Sequence, residues 1–273
     1  MVTPPGTVGH PSPSPTELLA VAVAAARAAG VVLVDGHGGP IDVAHKNERT
    51  SLVTAVDVAA QEEVMRVISG HYPRHAIVGE EGRGGSEGGE ITWLVDPLDG
   101  TSNYAHGVPM ACTSVAVRDE AGVVAGAILE PFRDELFTAA RGDGAWLGGA
   151  RLRVSTTASP EQALVCTGVQ SDSARAVGDF GRRIVALVNR CRAVRCLGSP
   201  ALCLAYVAAG RIDAFLEADS TYAWDVGAGA LLIAEAGGRI DDLDGRPLNL
   251  GTGLANVLAS NGLIHDALRE IAS

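Results

Sequence analysis

Residues 93–104 read Trp-Leu-Val-Asp-Pro-Leu-Asp-Gly-Thr-Ser-Asn-Tyr, and no other stretch restricts the fold as much. The apolar start reads as a strand inside a core, yet the run ends in Asp96 and Asp99, three apart, at the mouth of that strand. Two carboxylates there are costly unless something positive neutralises them. Hard divalent cations, which prefer oxygen ligands, are the natural partners. Gly100 and Thr101 follow at once, and Gly-Thr-Ser-Asn opens what reads as one helical turn, whose free N–H groups attract an anion. Metal ions and a phosphate can share such a site, which points to metal-assisted phosphate chemistry.

The 273 residues, 47% of them hydrophobic, are enough for one large domain or two intimate ones. A formal charge of −11 argues against a nucleic-acid backbone as a general partner. An acidic protein that handles phosphate needs local positive charge, and bound metal supplies it. The five cysteines (112, 166, 191, 196 and 203) form no Cys-x-x-Cys pair and read as reduced thiols in a cytoplasmic protein. The most apolar stretch, 18–34, contains Arg27 and follows Glu17, so it reads as an Ala-rich helix and not as a membrane span. Residues 1–15, with five prolines, lack the basic start and apolar segment of a signal peptide and read as a disordered tail.

Patterning then divides the chain. A helix is expected from Pro15 and Thr16 to about residue 34, another over 58–69, and a short strand over 76–79 ending at Glu80 and Glu81. Residues 111–118, 122–129, 135–139 and 144–147 read as an antiparallel sheet of hairpins. After about residue 155, strands at 163–167, 212–216, 238–242 and 256–260 alternate with helices at 173–191, 200–209, 225–236 and 261–272, as in an α/β half. The expected organisation is therefore a tail (1–15), an α+β region (16–155) and an α/β region (156–273) sharing a large interface.

Acidic residues recur at the ends of apolar runs: Asp57, Glu80, Glu81, Asp96, Asp99 and Asp225. Each has a plain structural alternative. Asp57 and Asp225 can cap the helices that follow them, and Glu80-Glu81 can be a solvated turn. The sequence alone does not place them together.

Gly79-Glu80-Glu81, the Asp-Pro-Leu-Asp-Gly-Thr-Ser-Asn core, and Trp224-Asp225-x-Gly-Ala-Gly with Glu235-Ala-Gly-Gly resemble the inositol monophosphatase family, in order, over about residues 17–273. The resemblance implies a layered αβαβα sandwich, of the kind shared with fructose-1,6-bisphosphatase, together with two or three Mg²⁺ ions, lithium sensitivity and a homodimer. By position it assigns Glu80, Asp96 and the Leu98 carbonyl to a first metal. Asp96, Asp99 and Asp225 go to a second, and Glu80 also to a weaker third. Thr101, oriented by Asp57, would position the metal-bound water that attacks phosphorus. The Gly100 and Thr101 amides would cradle phosphate oxygens. Lys46 falls where the family often has a basic residue, though a solvated lysine reads equally well. Ser199, Glu217 and Asp225 would contact the substrate alcohol. Pro200 stands where a small non-proline residue is usual; it removes a donor, or it simply begins helix 200–209.

The resulting expectation is a Mg²⁺-dependent hydrolase of a small polyol or sugar phosphate, first inositol monophosphate, with no nucleic-acid or membrane partner. Histidinol phosphate, fructose 1,6-bisphosphate and a secondary-metabolite sugar phosphate stay open, because alcohol selectivity depends on few groups. The absence of His and Cys near the motifs argues against zinc, and His106 reads as a structural or surface residue. No nucleophile stands beside a base, which argues for attack by water. The phospho-aspartate alternative needs two aspartates two apart, not three. A non-catalytic relative that binds metal or a partner is the other alternative.

Overall fold

The computed structural model describes residues 12–39, 43–45, 52–85, 90–171, 173–251 and 253–273. Residues 1–11 of the expected tail, and Lys46, lie outside the described residues. The first helix, α1, spans Pro15–Gly36. Ser14 Oγ accepts from the Glu17 N–H at 3.3 Å, and the Glu17 carboxylate accepts from the Ser14 N–H at 2.8 Å, a reciprocal cap with proline at the first turn. By length and hydropathy α1 is able to cross a membrane, which corrects the reading that no segment qualifies. In the fold its Leu18, Ala22, Ala25, Ala29 and Leu33 stripe is fully buried. Gly30 lets the helix sit so close that an added Cβ would lie 2.5 Å from Leu129 Cδ2.

Strands β1 (Val43–His45) and β2 (Leu52–Thr54) form a small antiparallel pair. Helix α2 (Ala55–His71) starts three residues before the expected 58. The reason is Thr54, whose hydroxyl caps the first turn while its own N–H donates to Asp57 Oδ2 at 2.8 Å. Then come β3 (Ala76–Gly79), β4 (Gly82–Gly84), β5 (Thr92–Asp99), the single-turn α3 (Thr101–Ala105), β6 (Cys112–Asp119), β7 (Gly122–Glu130), β8 (Glu135–Ala140), β9 (Gly144–Leu147) and β10 (Ala150–Arg151). These strands make one eight-stranded sheet in the order β10-β9-β8-β7-β6-β5-β3-β4, antiparallel except where β3 meets β5. The β3–β4 hairpin is an element the sequence reading lacked.

The second half contains β11 (Leu164–Gly168), α4 (Ala174–Arg190), β12 (Ala193–Arg195), α5 (Pro200–Ala208), β13 (Ala214–Thr221), α6 (Ala223–Glu235), β14 (Arg239–Asp241), β15 (Ala255–Ser260) and α7 (His265–Ala272). Its sheet runs β12-β11-β13-β15-β14 and is mixed. Helix α7 starts later than the expected 261, because Asn261 Oδ1 first accepts from the Leu263 and Ile264 N–H groups in a turn.

Side-chain alternation sorts the layers. Trp93, Val95, Val115, Val117 and Ala127 join the cluster under α1 and α2. Their neighbours Leu94, Ala116 and Ile128 point to the other face, into a cluster with α5, α6 and the second sheet's Cys166, Phe215, Val257 and Ala259. Leu187 and Leu268, on α4 and α7, close the outer face over Val165, Leu216 and Leu258. The order is helices, sheet, helices, sheet, helices: the expected αβαβα sandwich. Its middle helix layer is thin for a visible reason. Added Cβ atoms at Gly227 and Gly229 would meet Leu94 Cδ1 at 3.0 Å and Leu204 Cβ at 2.4 Å, so the glycines after Asp225 serve packing.

Candidate active site

Strand β5 ends in the sandwich interior, and its register against β6 shifts between Asp96 and Asp99. That irregularity turns both carboxylates toward a cavity of about 940 Å³, a size typical of small-ligand sites. Glu80, Asp96, Leu98, Asp99, Gly100, Thr101 and Asp225 all line it. Glu80 follows β3, whose pairing with β5 is continued by the Glu80 N–H donating to the Val95 carbonyl at 3.0 Å. Asp225 comes from the first turn of α6, where its carboxylate accepts from the Tyr222 N–H at 2.6 Å. Four acids from three separate stretches of chain thus face one space. Gly100 makes the corner with φ +92°; a Cβ there would lie 2.8 Å from the Met110 carbonyl, so only glycine fits.

Asp57 stands beside this group. Its Oδ1 accepts from Thr101 Oγ1 at 3.0 Å, and Thr101 Oγ1 is also 3.0 Å from the Leu98 carbonyl. Burial pushes the Asp57 carboxyl up, against hydrogen bonds from Thr54 that hold it down. Asp57 is therefore more than a helix cap: one oxygen caps α2 and the other grips Thr101.

The electrostatics are unbalanced. Asp96 and Asp225 hydrogen-bond to each other, and both are pushed well above the usual carboxylate range by burial and by neighbouring Glu80 and Asp99. Burial raises Asp99 to about 7, although bonds from Ser199 and Ala201 oppose the rise. Arg175 is the one Lys or Arg among the described lining residues, and it stands 3.6 Å from Asp179. A hard divalent cation fits this donor set, which is all oxygen and short of positive charge. Among the described residues neither His nor Cys lines the cavity, a donor set of the kind hard cations prefer. Among the described residues, no three His, Cys, Asp or Glu side chains are gathered into a ready-made metal cluster. The acids instead surround an open space, which leaves room for waters and ligand oxygens around a hard cation.

Two expected substrate contacts lie off the cavity wall in this structure. Ser199 is buried behind the wall, and its hydroxyl donates to Asp99 Oδ2 at 2.5 Å. Glu217 is also buried; it accepts from Ser220 Oγ and is absent from the cavity wall. Burial lifts its carboxyl to about 7. Pro200 occupies the first turn of α5, and the next N–H, on Ala201, donates to Asp99 Oδ2 at 2.8 Å. The proline thus starts a helix whose first free donor secures Asp99. The Glu81 N–H donates to Gln61 Oε1 at 2.9 Å, and Glu81 is not part of the wall. His106 is exposed, with Nδ1 2.8 Å from the Ser102 carbonyl. The outer wall, including Val169, Gln170, Ser173, Arg175, Asp219, Ser220, Tyr222 and Leu254, was missed, because scattered polar and apolar residues have no local motif.

This combination of layered sandwich and converging acids has the makeup of a cation-binding site on an α/β sandwich, and similarity to known proteins names the family. Residues 14–273 match the inositol monophosphatase family, and the chain belongs to it. Nus factor SuhB of Pseudomonas aeruginosa is 41% identical over 84% of this chain and 86% of its own. Inositol monophosphatase 2 of Solanum lycopersicum is 38% identical over 92% of this chain and 96% of its own. The solved IMPase structure from Thermotoga maritima superposes with a TM-score of 0.84 at 34% identity, covering 93% of this chain and 96% of that one.

Proposed function

We propose that the chain is a Mg²⁺-dependent phosphomonoesterase for small polyol or sugar phosphates, with inositol monophosphate first. The observation that carries this reading is the convergence of Glu80, Asp96, Asp99 and Asp225 on one cavity beside the Thr101–Asp57 pair. Glu80, Asp96 and the Leu98 carbonyl would hold one ion, and Asp96, Asp99 and Asp225 another. Bound Mg²⁺ supplies Lewis-acid charge, which makes water a nucleophile at neutral pH and neutralises phosphate oxygens. The chain's own residues do the rest. Asp57 holds the Thr101 hydroxyl in place, so Thr101 can orient an attacking water; as that water gives its proton to Thr101 Oγ1, the Thr101 hydroxyl proton passes to the Asp57 carboxylate. Ser199 and the Ala201 N–H keep Asp99 from rotating away.

The family relationship, and a relative named inositol monophosphatase 2, support this choice of substrate. The five free thiols support a reducing, cytoplasmic setting, and family resemblance supports a homodimer. A second reading comes from relatives named Nus factor SuhB: a binding role, with or without catalysis. Phosphate release from inositol 1-phosphate, fructose 1,6-bisphosphate, histidinol phosphate and glycerol 2-phosphate, with Mg²⁺, with EDTA and with Li⁺, separates the two. The phosphatase reading expects Mg²⁺-dependent release inhibited by Li⁺. No release from any ester by folded protein favours the binding role.

A further inference from the structure

The acids occupy the inner end of the cavity, and the outer end has its own character. Strand β13 loses its register against β15 between Glu217 and Thr221, and Asp219 takes φ +60°. This bulge leaves Glu217 buried and puts Asp219 and Ser220 on the wall in its place. The Asp219 N–H is secured by Asn256 Oδ1 at 3.0 Å. Just beyond, the Tyr222 ring stacks on Trp224 with centroids 4.8 Å apart and planes 13° from parallel. Trp224 covers one face of the Tyr222 ring, and the residue, which lines the cavity, remains 39% exposed. Tyr222 is also tied by its backbone to Asp225. Its open face is therefore held at a set place beside the acids, at little entropic cost.

We propose that Tyr222 is a specificity-determining residue: its exposed ring packs against the C–H face of a cyclic polyol or pyranose phosphate, while Asp219 and Ser220 bind the ring hydroxyls. An aromatic face bordered by carboxylate and hydroxyl groups matches a molecule that is apolar on one face and rich in hydroxyls at its edge. An acyclic alcohol offers no such face. This rests on the phosphatase reading and adds the class of alcohol to it.

The test compares Tyr222→Ala and Tyr222→Phe with wild type on inositol 1-phosphate, glucose 1-phosphate and acyclic glycerol 2-phosphate. The backbone N–H to Asp225 survives both changes, and thermal melting checks the fold. For the two ring substrates, Tyr222→Ala is expected to raise KM about five- to tenfold with kcat within twofold. KM for glycerol 2-phosphate stays unchanged, and Tyr222→Phe behaves as wild type. An unchanged KM, or equal losses on cyclic and acyclic esters, overturns the platform and leaves the phosphatase reading standing. Wild-type protein that hydrolyses none of the three overturns both.

Discussion

Asp96, Asp99 and Asp225 at the cavity and Asp241 beneath α7 are all buried acids, yet their surroundings treat them in opposite ways. Burial works against ionisation of Asp241 as well, but His265 Nε2 at 2.8 Å, Arg269 Nη2 at 2.5 Å and Arg239 Nη2 at 3.0 Å surround it, and its carboxyl ends below the usual range. Ser260 Oγ lies 2.9 Å from His265 Nδ1, so Ser260, His265 and Asp241 even have the contacts of a nucleophile, base and orienting acid. Ser260 and His265 have no exposed surface, and no substrate reaches them. That network is neutralised from within and secures the C-terminal helix. Among the described residues the cavity acids have no such arginines, so a bound cation would neutralise them. A buried acid neutralised by arginines of the chain is architecture, whereas acids gathered at a cavity without a described cation beside them are candidates for binding one.

The largest expected effect is at the cavity. Asp99→Asn should cut phosphatase turnover about 100-fold or more, since a metal donor loses its charge, while the melting temperature without Mg²⁺ stays the same or rises. Near-normal turnover at saturating Mg²⁺ would remove Asp99 from the site. Asp241→Ala should do the reverse: it strands buried His265 and two arginines, costing about 2–4 kcal/mol of stability in denaturant titration, with kcat unchanged in the folded fraction. A loss of activity without a loss of stability would contradict the division of roles.

The smallest effect concerns pH, and here the two clusters have opposite signs. Asp99 titrates at about 7 in the metal-free fold against 3.8 ordinarily. Its raised value adds stability that is full below about 4 and is lost as pH rises through 7. Asp241 is lowered, so its stabilisation is present above its ordinary pKa and is lost on further acidification. Melts from pH 5 to 8 should therefore show a Mg²⁺-induced rise that grows with pH, reaching on the order of 5 °C. A Mg²⁺ effect independent of pH would mean that the ion binds elsewhere.

Much of this was legible along the chain. The Asp96–Asp99 pair, Glu80 and Asp225 stood out because each sits where an apolar run stops, and the three motifs carried the family resemblance. Element types followed from periodicity in most places. Boundaries shifted where a side chain captured a backbone group early, as Thr54 does at α2, or late, as Asn261 does before α7. Ser199 and Glu217 could not be assigned in this way. Both are polar residues beside a motif, and only packing turns one behind Asp99 and the other behind the β13 bulge.

The sequence by itself determined most element types and the chemical character of the site, because hydrophobic period and carboxylate identity are local properties, and its motifs carried the resemblance that implies the layered sandwich. Tertiary structure alone decided that the four acids face one cavity, that Asp57 holds Thr101, and that Tyr222 and Asp219, not Glu217, meet the outer end of the cavity. Those outcomes depend on contacts between residues far apart in the chain, such as Thr101 with Asp57 and Ser199 with Asp99, which no local pattern encodes.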